Sequence, residues 1–178
     1  MILPPSVTEV LGPWADFSMI PPAVLQAAAE RGTAVHNACF AYAAALPVVG
    51  LRPDVALYVE SFKRWFDHVV DKVLLCEERI TDERFGYHGE PDLLIQAKHN
   101  EIILIDVKTP VTKIKPWRIQ LAAYKNLCEQ YLPVKVDRVG SLRLSPEGKT
   151  PKMDYYDYQD KDYSIFVSCL NAYRFFKS

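Results

Sequence analysis

The chain has 178 residues, 49% of them hydrophobic and 24% charged, with a formal net charge of −1. That is an ordinary globular composition, long enough for one domain with a sizeable core. It excludes several classes: no apolar run approaches the roughly 20 residues of a membrane span, MILPPSVTEV has no signal-peptide pattern, and Cys39, Cys76, Cys128 and Cys169 form no CxxC pair for zinc or an iron–sulfur cluster. Widely separated cysteines read as free thiols in a reducing cytoplasm. Near-neutral charge does not advertise a nucleic-acid partner, but Lys108 to Lys125 holds five basic residues and no acidic one.

In chain order, SVTEVLGPW reads as a short helical turn stopped by Gly12-Pro13. Pro21-Pro22 opens an alanine-rich helix, interrupted at Gly32, with Thr33 capping a second piece and Pro47 and Gly50 ending it. Pro53 begins another helix, whose Val55, Tyr58, Val59, Phe62, Trp65, Phe66 and Val69 recur at helical spacing. The period then changes. VLLCEERI reads as a strand, and GYHGEPDLLIQA with EIILIDVKT as a hairpin turning at Lys98-His99-Asn100. WRIQLAAYKNLCEQYL is a helix stopped by Pro133, RVGSLRLS a strand, SPEGKTPK a loop, MDYYDYQD a short strand and YSIFVSCLNAYRFF a helix. The expected fold is one α/β (α+β) domain over 1–178 with a small mixed sheet flanked by helices. It has a helical N-terminal part (1–70), a sheet and helix (73–145) and a C-terminal helix (159–177).

The hairpin raises a question of charge. With the turn centred on His99, Asp92 falls opposite Asp106, and directly opposed residues have Cβ atoms about 4.5–5.5 Å apart. Asp106 and Lys108 share a face because strand side chains alternate. A register slip of one residue would separate the two aspartates. Either aspartate alone reads most simply as half of a partly buried ion pair with the lysine. Together they form a like-charge pair that a divalent cation between them would turn into a site.

These residues carry a family resemblance. Pro91-Asp92 and Asp106-Val107-Lys108 resemble the two elements of the PD-(D/E)xK nuclease superfamily. Arg31-Gly32-Thr33-Ala34-Val35-His36 is similar to the RGxxxH helix of its RecB-like and phage exonuclease branch, and Gln120 to Tyr124 to the QxxxY helix of that branch. Ser6-Val7-Thr8 resembles the SVT of compact members, and Gly89 stands where the GxxD turn has its glycine. Order and spacing agree from residue 6 to about 125.

The resemblance implies a restriction-endonuclease-like core and a metal-dependent DNA nuclease. It implies an exonuclease acting from ends, with a structure-selective endonuclease or a non-catalytic DNA-binding subunit as the alternatives. Asp92, Asp106, His36 and the Val107 carbonyl would hold one or two Mg²⁺ or Mn²⁺ ions, as oxygen-rich ligation favours. Lys108 would be the catalytic lysine, with Glu77 or its neighbour Glu78 assisting and Gln120 and Tyr124 lining the site. Arg31, Lys113, Lys115 and Arg118 are the candidate phosphate contacts, and Trp117, Tyr87 and Tyr124 the candidates for base stacking. The implied setting is the cytoplasm of a bacterium or phage-infected cell, on duplex or single-stranded DNA ends and without a membrane. A homo-oligomer and a recombination or single-strand-binding partner protein stay open.

Overall fold

In the computed structural model, residues 4–110 and 112–177 are described; the outermost residues of the 1–178 bounds, the MIL of the N-terminal segment among them, lie outside these. The chain runs α1 (Val7–Leu11), a 3-10 turn (Gly12–Trp14), α2 (Pro22–Ala43), α3 (Pro53–Val69), β1 (Val70–Cys76), β2 (Ile80–Asp82), β3 (Tyr87–Gly89), β4 (Leu93–Ala97), β5 (Ile102–Lys108), α4 (Pro116–Tyr131), β6 (Arg138–Arg143), β7 (Lys152–Tyr155) and α5 (Gln159–Lys177). One five-stranded sheet has the order β1-β4-β5-β6-β7, and β2 and β3 form a separate two-stranded ribbon. Among the named strands of the described residues, only β5 and β6 pair in parallel, through the crossover helix α4.

β4 and β5 are apolar at nearly every position, which demands cover on both faces of the sheet. Leu93, Ile95, Ile103, Ile105 and Val107 point into a cluster with Val35, Phe40, Val59 and Phe62 of α2 and α3. Leu94 and Leu104 point the other way, onto Val7 and Val10 of α1, Leu121 and Leu127 of α4, and Phe166 and Leu170 of α5. Asp106 continues the row of Leu104 on that second face, where a further leucine would complete the core. A carboxylate that is only 1% exposed stands there instead.

The hairpin register is the one expected: Leu93 pairs with Ile105, Leu94 with Leu104 and Ile95 with Ile103, all centred on residue 99. Four boundaries differ. First, α2 runs unbroken through Gly32, and Thr33 caps nothing; its Oγ1 donates back to Ala29 O at 3.1 Å. Second, α2 stops at Ala43, before Pro47, with Ala45 in the left-handed region (φ 56°). Third, VLLCEERI is split, because Glu77 also adopts a left-handed backbone (φ 50°) and turns the chain between β1 and β2. Fourth, GYHGEPDLLIQA is split at Glu90-Pro91, since proline cannot donate to a central ladder.

Candidate active site

Where β4 begins, the proline and aspartate leave the ladder, and a side chain takes over the main-chain role. Asp92 Oδ2 accepts the Val107 N–H at 2.7 Å, tying the strand start to β5. The carbonyl of the same residue is used by α2. His36, packed edge-on against Phe40, donates its Nε2–H to Val107 O at 2.9 Å, since a carbonyl can only accept. His36 Nδ1 lies 3.9 Å from Asp92 Oδ1. An unbroken α2 makes this possible, because it carries Val35 into the core and His36 to the C-terminal end of β5 on one rigid element.

On the other side of β5, Lys108 Nζ stands 2.6 Å from Asp106 Oδ2. The approach is a charge contact and not an aligned hydrogen bond, so that oxygen is sealed from solvent with its hydrogen-bonding capacity unmet. The same ammonium donates to Gln120 Oε1 at 3.3 Å, and Gln120 Nε2 donates to Tyr124 OH at 3.1 Å. Gln120 and Tyr124 lie one helical turn apart on α4, so the helix presents a short relay that orients the lysine. Beneath it Lys108 Nζ lies 5.5 Å from the centre of the buried Trp117 ring. Gly89 lets α4 come this close: a Cβ there would fall 2.6 Å from the Tyr124 ring and 2.9 Å from Leu127.

Burial and the neighbouring Asp106 charge push the Asp92 carboxyl up to about 6, against smaller opposing effects of His36, Lys108 and the Val107 N–H. Burial also raises Glu77, which His36 partly offsets. These side chains open into a cavity of about 1090 Å³ that His36, Glu77, Asp92, Asp106, Lys108, Gln120 and Tyr124 all line. Glu77 lines it and Glu78 does not. Among the described residues no three His, Cys, Asp or Glu side chains are grouped closely enough to hold a metal by themselves. What converges is a mixed set of two carboxylates, one imidazole and one main-chain carbonyl, with an ammonium among them.

Other expected contacts lie elsewhere. None of Arg31, Lys113, Lys115 and Arg118 lines the cavity. Arg31 sits over the Tyr58 ring, and Lys113 over the Tyr156 ring and near Asp154. Arg118 Nε is held 2.8 Å from the buried Asp162 Oδ2 and its Nη2 donates to Asp157 O. Lys115 and Arg118 line a second cavity of about 480 Å³ beside α5. Trp117, Tyr87 and Tyr124 are all buried, Tyr87 against Phe166, so none offers a ring face to a base. Sequence reasoning missed the opposite wall: Glu9, Arg79, His88, Glu90, Arg174 and Lys177 also line the cavity. Glu9 was legible, since Ser6 with Glu9 spells a capping box that the structure forms at α1.

The layered sheet and its cavity define a mixed α/β protein. A solved structure from Eubacterium rectale, that of a candidate exonuclease, matches with a TM-score of 0.54 at 12% sequence identity, over 80% of this chain and 66% of that one. The chain thus spans just under two thirds of that neighbour, and at this identity the likeness is one of fold. No protein-family profile and no curated protein sequence matches.

Proposed function

We propose that the chain is a metal-dependent nuclease that hydrolyses phosphodiester bonds in DNA, acting from ends, with the PD-(D/E)xK pattern as its site. The observation that carries this is the meeting, at the end of one hairpin, of Asp92, Asp106, Lys108 and His36 around Val107. A fold shared with a candidate exonuclease supports it.

The donor set suits a hard cation. Asp106 Oδ2 is buried without a hydrogen bond. His36 Nε2 and Val107 O are 2.9 Å apart, close to the roughly 3 Å between neighbouring ligands about 2.1 Å from an octahedral ion. Asp92, Asp106, His36 and the Val107 carbonyl would hold Mg²⁺ or Mn²⁺. Loading would require His36 to give up its hydrogen bond to Val107 O and the Lys108 ammonium to yield the Asp106 oxygen. When bound, such a cation acidifies its water and polarises a phosphoryl oxygen. Lys108, aimed by Gln120 and Tyr124, donates to the attacking water or to the phosphate. Glu77 supplies a further carboxylate lining the cavity.

The test is digestion of end-labelled linear duplex with Mg²⁺, Mn²⁺ or chelator, run beside Lys108→Ala with its melting temperature recorded. Cleavage should need the cation, and the variant should lose about 10²-fold or more. Cleavage that survives chelator, or a folded Lys108→Ala that retains full rate, sinks the reading. A nicked circle as co-substrate, left intact, separates action from ends from internal cutting.

A further inference from the structure

The cavity is lined by charges of both signs. Glu77 donates its N–H to Asp92 O and so stands beside Asp92 and Asp106 on an acidic wall, while Arg174 and Lys177 reach the cavity from the last turns of α5; Glu9, Glu90 and Lys108 line it too. Arg79 lines the cavity as well, but Glu90 neutralises it at 2.8 Å. Arg174 is held in place: its Nη2 donates to the carbonyls of Phe85 and Gly86, in the turn between β2 and β3. Gly86 permits that approach, having φ +60° and no Cβ, which would come 2.9 Å from the same nitrogen. The guanidinium keeps its Nε and Nη1 hydrogens unused by any hydrogen bond among the described residues. Lys177, three residues on and so on the same helix face, has no acidic partner among the described residues. Asp92 lies six positions after Gly86, so their Cα atoms are at most about 20 Å apart.

We propose that Arg174 and Lys177 form a phosphate subsite that grips the backbone of a nucleic-acid strand whose scissile phosphate lies against the acidic wall. The proposal rests on the nuclease reading and adds to it two residues that hold the strand away from the scissile phosphate. A strand repeats its phosphates every few ångströms, so one ligand reaches both the acidic wall and the two cations. The single N–H donors left on the guanidinium, and the ammonium, suit phosphate oxygens.

The experiment compares two substrates: bis(p-nitrophenyl) phosphate, with one phosphate, and a fluorescent oligonucleotide, with many. Lys177→Ala is the main variant because its side chain makes no hydrogen bond or ion pair among the described residues. Arg174→Ala accompanies it, with melting temperatures recorded for both. Relative to its effect on the small diester, Lys177→Ala should lower kcat/KM on the oligonucleotide about fivefold further, mainly through KM. The slope of log affinity against log salt, read by anisotropy in chelator, should become shallower by about 0.7. Equal losses on both substrates, or none on either, overturn the subsite. A wild type that turns over neither substrate sinks the nuclease reading instead. The salt slope then still judges the subsite, which an unchanged slope in Lys177→Ala ends and a shallower one upholds.

Discussion

At the residue scale, Asp92 is costly to the free protein. Burial and the Asp106 charge hold its carboxyl at about 6, against about 3.9 in an unfolded chain. Between those values the folded state binds the extra proton. Stability from this group is therefore fully present below about pH 4 and is lost as pH rises through 6, by on the order of 3 kcal/mol. Asn at this position keeps an oxygen for the Val107 N–H and carries no charge to desolvate. Asp92→Asn should therefore melt a few degrees above wild type at pH 7.5 in chelator, and its advantage should fade by pH 4, while cleavage falls by 10²-fold or more. Thermal melts from pH 4 to pH 8 check this; an advantage equal at both ends contradicts the assigned cause. Stability and function then pull in opposite directions at one atom, as expected of a site kept for a ligand.

At the scale of elements, two glycines of the motif regions have opposite meanings. Gly32 was expected to break α2, yet the helix passes through it, and a Cβ there meets only Thr109 Oγ1 at an ordinary 3.8 Å. Gly32→Ala should raise stability by about 0.5–1 kcal/mol. Gly89→Ala should lower it by about 1–3 kcal/mol, since the new methyl collides with Tyr124 and Leu127 on a rigid helix. Urea titration of both variants checks the contrast, and a shift of the same sign in each contradicts it. The pair shows what was legible. Hairpin register could be read from the spacing around His99 because a buried face on each side pins it. Proline in GEPD carried the strand break, although the reading ran through it. The left-handed turn at Glu77 had no residue-type signal, because glutamate rarely adopts that backbone.

At the scale of the whole molecule, most of the sequence-read cavity residues lie within 77–124, where short spacings fix which side chains meet, with His36 of α2 added by its motif. Much of the rest comes from long range. Arg174 meets Phe85 and Gly86 across more than 85 residues, which no local period encodes. The basic run after Lys108 misled for a related reason: charge density alone does not say which cation already has a partner. Arg118 has one in Asp162, only 2% exposed, and this pair joins α4, which carries Gln120 and Tyr124, to α5, which carries Arg174. Removing either member should act through stability. Arg118→Ala leaves a buried carboxylate uncompensated and should cost about 1–3 kcal/mol, discounted because the guanidinium is over a third exposed. A phosphate contact would behave differently, with unchanged stability and a shallower salt dependence of DNA affinity. Denaturant unfolding of Arg118→Ala beside a salt titration of oligonucleotide binding separates the two. Lost stability with an unaltered salt slope is the expected result, and the reverse pattern would return Arg118 to the nucleic-acid surface.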